Sequence, residues 1–252
     1  VYRKNKLEKA YAWGLFQIQN YKSPDSAGRI QKKFRSVTMK SYDHKYLAEY
    51  LSQTILDTHS YLQTRLFIHG CVFPDHNPIG YLQGLLIGHP MKIHFTTYSI
   101  PKLQRLLEKL EKKETLSLWD FYRLGVLIHY LADAFTYPHN ETFTDSMLAH
   151  AKYESQDLHT ALTELLSECG DGASLPENNL HKGANLWYTF CSLHETYEQT
   201  APAAQTDASY IVPVCVRACR EFAYRVPADT AFASARVRFV NAWSGIYRRT
   251  MS

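Results

Sequence analysis

From Phe121 to Phe135 the chain reads Phe-Tyr-Arg-Leu-Gly-Val-Leu-Ile-His-Tyr-Leu-Ala-Asp-Ala-Phe, an apolar run at helical spacing with one histidine and one aspartate set inside it. Positions i and i+4 of an α-helix differ by about 40° of rotation, so His129 and Asp133 leave the helix on one face. A run this apolar packs inward, and an imidazole and a carboxylate carried inward without partners are costly. A shared metal ion satisfies both. Pro138 ends the helix and delivers His139 on the following loop. His150 and Glu154 then form a second i, i+4 pair, which brings five potential ligands into 26 residues. Imidazole nitrogen with carboxylate oxygen suits Zn²⁺, whereas Mg²⁺ and Ca²⁺ prefer oxygen shells without histidine. Either pair alone is compatible with a surface ion pair worth a few tenths of a kcal/mol. The apolar setting of the first pair argues for the metal.

A chain of 252 residues, 45% of them hydrophobic, can bury a substantial core. It reads as one all-helical domain over 1–252, with 1–40 as a loosely packed N-terminal arm. Periodicity predicts helices over about 5–20, 43–67, 98–113, 116–136, 144–168, 183–198, 207–224 and 228–248, separated by breakers such as Pro74-Asp-His-Asn-Pro78 and Gly170-Asp-Gly172. No alternating strand pattern competes with them. The segment 69–97, rich in Gly, Pro and His, reads as a functional loop able to close over the metals. No run of eighteen apolar residues marks a membrane span.

Five cysteines at irregular positions (Cys71, Cys169, Cys191, Cys215, Cys219) form neither a disulfide framework nor a CxxC knuckle and read as reduced core residues. The chain opens on Val, so a missing secretion signal carries little weight; a cytoplasmic location is the expectation. The net charge is only +4, yet Arg3, Lys4, Lys6, Lys9, Lys22, Arg29, Lys32, Lys33 and Arg35 are available to an anionic membrane surface or to nucleic acid. A solvated basic face is the simpler account of them. Among the remaining histidines, His59 and His69 read as packed or solvent-facing and His76 as a neighbour of a ligand. His159, His181 and His194 read as non-ligating.

The stretch Gly125-Val-Leu-Ile-His-Tyr-Leu-Ala-Asp-Ala-Phe-Thr-Tyr-Pro-His139, followed by His150-Ala-Lys-Tyr-Glu154, resembles the metal-binding core of the bacterial zinc-dependent phospholipases C, which share an all-α fold with the fungal zinc-dependent single-strand nucleases. The resemblance implies that fold, a multi-helix bundle. It also implies ligand roles for His129, Asp133, His139, His150 and Glu154. Upstream, Gly70-Cys-Val-Phe-Pro-Asp75 resembles the family segment in which a small-residue turn presents an Asp ligand, and a later His is implied at His89 or His94. His44, in Asp43-His-Lys-Tyr-Leu-Ala48, resembles the family's early His, which serves a third zinc with the bridging Asp. One departure stands out. Family members begin with a Trp that helps bind the third zinc a few residues before that His, whereas here Trp13 is the nearest. Asp43 is an alternative ligand for that ion.

The resemblance implies two or three Zn²⁺. One is held by His139, His150 and Glu154, another by Asp75, His89 or His94, His129 and Asp133, with Asp133 bridging to any ion near His44. Asp75 and Asp133 are then the catalytic carboxylates, Asp75 orienting or deprotonating the attacking water. The implied activity is phospholipase C-like hydrolysis of a phospholipid. Two alternatives remain: a nuclease or 3′-nucleotidase on the same cluster, and a non-catalytic helical protein whose metal serves folding. Tyr42, Phe73, Tyr81, Phe95, Phe135 and Tyr137 are candidate walls for a choline-like cation.

Overall fold

The computed structural model describes residues 41–56, 60–77, 96–140, 142–143, 146–169 and 185–225. The predicted helices over 5–20 and 228–248, the basic residues of 1–40, Tyr81, Phe95 and the histidines His59, His89, His94 and His181 lie outside them. The described residues form α-helices, one 3₁₀ turn and one π turn, and contain no strand. None of these helices is long and apolar enough to cross a membrane.

Helix α1 spans Ser41–Thr54, α2 Tyr61–His76, α3 Thr96–Glu111 and α4 Leu118–Ala134. The 3₁₀ turn Tyr137–His139 follows, then α5 (Met147–Lys152), the π turn (Tyr153–Leu158), α6 (His159–Cys169), α7 (Leu186–Glu198) and α8 (Ala204–Ala223). Helix α4 is the centre of the bundle. Its Phe121, Leu124, Leu127, Ile128, Leu131, Ala132 and Ala134 are all buried, on several sides of the helix. It starts where Ser117 donates its backbone N–H to the Asp120 carboxylate, 3.0 Å away, so that an otherwise orphan donor at the helix start is satisfied. Helices α2, α3, α8 and α1 pack around it.

The tightest of these packings is α2 on α4. A Cβ added at Gly70 would collide with the Tyr122 carbonyl, and one added at Gly125 would collide with the Phe67 carbonyl. Only glycine at both positions lets the two backbones approach this closely. The crossing sits one turn from His129 on α4 and about one turn from Asp75 on α2, so it sets the separation of those side chains.

Three boundaries differ from the sequence reading. The helix predicted over 43–67 is two helices, α1 and α2. The predicted loop 69–97 does not begin at residue 69: α2 continues to His76, and Asp75 stands in its last helical turn rather than on a small-residue turn. Gly70 and Pro74 read locally as breakers, but Gly70 is a packing residue, and Pro74 forfeits only one helical hydrogen bond near the helix end. The predicted helix over 144–168 is interrupted by the π turn, a feature that recurs at functional sites.

Candidate metal centre

Seven polar side chains converge in the bundle interior, and all are buried: His44, Asp75, His129, Asp133, His139, His150 and Glu154. Two groups of three have ligand atoms within 4.8 Å of one another, His44 with Asp75 and His129, and His139 with His150 and Glu154. The first group draws one residue from each of α1, α2 and α4. The second draws on the 3₁₀ turn, α5 and the π turn.

Asp133 stands between the groups. Its Oδ1 is 3.1 Å from His44 Nε2, and its Oδ2 is 3.1 Å from His129 Nε2 and 3.7 Å from His139 Nδ1. In the second group Glu154 Oε1 is 2.8 Å from His139 Nε2 and 2.6 Å from His150 Nε2. In the first, Asp75 Oδ1 is 3.6 Å from His129 Nε2, and the His44 and His129 ring centroids are 4.1 Å apart.

The orientation of His129 is fixed from behind. Its Nδ1 lies 2.9 Å from the Cys71 carbonyl, which must accept a hydrogen there. The lone pair is thereby placed on Nε2, facing Asp75 and Asp133. This is the outer support that metal-binding histidines use. It exists because the Gly70–Gly125 approach brings the α2 backbone within reach of an α4 side chain.

The electrostatics are those of a cluster built around positive charge. Burial pushes the Asp75 carboxyl up to about 7, with Asp133 adding to the shift and His129 opposing it. Burial also acts against Asp133 and Glu154, but the neighbouring imidazoles outweigh it. His129, His139 and His44 hold Asp133 well below the usual carboxylate range, and His139 and His150 lower Glu154.

A divalent cation fits this donor set. His44 Nδ1, His129 Nε2, Asp133 Oδ2 and Glu154 Oε2 are buried and have no hydrogen-bond partner among the described residues. His129 Nε2 and Asp133 Oδ2 are close but are not aligned for a hydrogen bond. Buried polar atoms left in this state are expensive. Four such atoms on residues of one cluster are what a bound cation would satisfy. Mixed nitrogen and oxygen donors match zinc.

The zinc dependent phospholipase C family model matches residues 30–205, about 70% of the chain. The chain belongs to the zinc-dependent phospholipase C family. Comparison with the curated proteins and with the solved structures finds no match. The all-α bundle is the fold of this family, and both groups of three lie within the matched residues.

Other residues at the centre were not legible as such. Asp43 does not stand open beside His44: His159 donates from Nδ1 to its Oδ1 at 2.6 Å, and burial raises the Asp43 carboxyl against that bond. His194 donates from Nε2 to the Ala134 carbonyl, 3.1 Å away, at the end of α4. His69 packs against Phe73 and Tyr122, and His76 is exposed at the end of α2. Asn140 Nδ2 donates to the Thr136 carbonyl at 3.0 Å, and Thr96 Oγ1 donates to the His139 carbonyl at 3.2 Å. Asp207, on α8, accepts three hydrogen bonds beside the second group. Its acid at an apolar-face position, with Ala208, Ile211, Val212 and Cys215 on the same face, is the signal that could have singled it out. Of the candidate wall aromatics, Tyr42 is exposed, Phe73 and Tyr137 are partly buried, and Phe135 is core, stacked on Tyr210 at 5.6 Å.

Proposed function

We propose that this family member is a zinc-dependent phosphodiester hydrolase that cleaves a phospholipid to diacylglycerol and a phosphorylated headgroup. His139, His150 and Glu154 would hold one ion and His44, Asp75 and His129 a second, with Asp133 serving both. The observation that carries this reading is Asp133 itself, one buried carboxylate that faces imidazoles of both groups. Zinc at such sites supplies Lewis-acid neutralisation of phosphate charge and makes water acidic enough to deprotonate near neutral pH.

The chain's own residues supply the rest. Asp75, buried beside His129 at 3.6 Å, is the carboxylate that orients the attacking water or takes its proton. The water oxygen bonds to phosphorus as the bond from phosphorus to the glycerol oxygen breaks, and the departing oxygen takes up the proton that the water gave to Asp75 and leaves as the diacylglycerol hydroxyl. The Cys71 carbonyl keeps His129 in the tautomer that leaves Nε2 available. Contact with an anionic membrane surface would be peripheral.

The test is hydrolysis of phosphatidylcholine in mixed micelles by zinc-loaded protein. Phosphocholine and diacylglycerol are the products expected, with activity lost on chelation. Activity confined to single-stranded nucleic acid would transfer the same cluster to a nuclease, and zinc bound at full stoichiometry with neither activity would make its role structural.

A further inference from the structure

Asp207 is fully buried near the start of α8. A carboxylate in that position has to be met by donors, and it has three. The Tyr137 backbone N–H donates to Oδ2 at 2.8 Å, the Tyr153 hydroxyl donates to Oδ2 at 2.8 Å, and the Tyr197 hydroxyl donates to Oδ1 at 2.7 Å. Two of these donors flank the second metal group. Tyr137 opens the 3₁₀ turn that ends in His139, and Tyr153 immediately precedes Glu154. The Tyr137 and Tyr153 rings also meet edge to face, centroids 6.0 Å apart. Tyr197 comes from α7, which contributes no residue to the group, and packs against Phe135 and Tyr210.

His139 and Glu154 are fifteen positions apart and belong to different turns, so no single helix sets their separation. Asp207 Oδ2 is the common point to which both turns are tied. We infer that Asp207 is a positioning residue for the second metal group, holding the His139 turn and the Glu154 turn at ligand spacing. This rests on the zinc reading above. Metal affinity is sensitive to supports of this kind, because a ligand displaced by a fraction of an ångström no longer shares the ion.

The experiment is a competition titration of zinc against a chromophoric chelator, on full-length protein stripped and refilled, with His150→Ala marking which ion belongs to the second group. Asp207→Ala is expected to weaken that ion about 10- to 100-fold and to leave the other within about threefold. Asp207→Asn is the conservative rescue. Its Oδ1 can accept from Tyr137 and Tyr153, while its amide donates to the Tyr197 hydroxyl oxygen, so both ions should stay within about threefold of the wild type. Tyr153→Phe is expected to weaken the second ion at least about fivefold, and Tyr197→Phe, which removes a bond of the same kind from a helix that carries no residue of the group, to leave it unchanged. That last comparison stands even if Asp207→Ala does not fold. Equal losses at both ions, wild-type affinities in Asp207→Ala, an Asp207→Asn loss as large as that of Asp207→Ala, or equal effects of the two Tyr→Phe changes would each overturn the inference. A wild-type protein that takes up no zinc would overturn the zinc reading instead.

Discussion

Asp133 Oδ1 and His44 Nε2, 89 positions apart in sequence, meet at 3.1 Å in the interior of the bundle. The same carboxylate faces His129, its neighbour one helical turn earlier, and His139 beyond the end of α4. One residue therefore couples elements that the chain visits at widely separated points, and the consequences for metal binding are specific.

On the proposed zinc reading, His129→Ala and Glu154→Ala each alter one group only, so each is expected to lose one zinc per chain by elemental mass spectrometry. Asp133→Ala removes the carboxylate common to both and should lose two. Hydrolysis should fall with the metal in all three, by on the order of 100-fold or more. Full zinc occupancy in Asp133→Ala would show that the carboxylate bridges nothing.

The backbone crossing of α2 and α4 leaves no room at Gly70 or Gly125. Because the colliding atoms are backbone carbonyls, no rotamer change relieves them, and Gly125→Ala should cost about 3 kcal/mol or more, the upper end of ordinary overpacking. That corresponds to a fall in Tm of roughly 10 °C for a chain of this size. It should also weaken the His44, Asp75 and His129 group, since the Cys71 carbonyl moves away from His129. A Gly125→Ala melting curve that overlays the wild type would remove the crossing from this account.

Burial raises the Asp207 carboxyl to about 6, against the bonds from Tyr137, Tyr197 and Tyr153 that favour the charged form. The folded chain then binds this proton more tightly than the unfolded chain, whose reference is 3.8. The stabilising contribution is complete below about pH 3.8 and is lost as pH rises through about 6, an effect of roughly 3 kcal/mol at most. Asn at this position has no such titration. In urea unfolding of metal-free protein, the wild type should lose stability relative to Asp207→Asn between about pH 4 and pH 7. A constant difference across that range would mean that the raised value is wrong.

The Asp43–His159 bond joins α1 to α6 at 2.6 Å one residue before His44. His159→Ala leaves the buried Asp43 oxygen without this donor and should lower the stability of the metal-free protein by about 1–3 kcal/mol. In an Asp43→Ala background the same substitution should cost much less, because the partner is already gone. Additive effects of the two substitutions would show that the pair is geometry without energy.

Local sequence carries the helical character of the chain and marks as candidates the seven buried side chains that the structure brings together. Apolar periodicity through 121–135 marks α4, and the i, i+4 spacing of His129 with Asp133 and of His150 with Glu154 marks side chains that share a face; these are properties of a single helix, which local sequence encodes. The length of α2 was not legible, because Gly70 and Pro74 read locally as breakers, whereas Gly70 packs against α4 and Pro74 sits in the last turn of the helix. The grouping was not legible either. Spacing along the chain cannot say that His44 lies with Asp75 and His129, that Asp133 spans both groups, or that Asp43 is engaged by His159. Those distances were decided by how closely whole helices approach, through two glycines at one crossing, and by a carboxylate on α8 that ties two turns together. Such contacts are long-range, so they are a property of the packed bundle and not of any one segment in it.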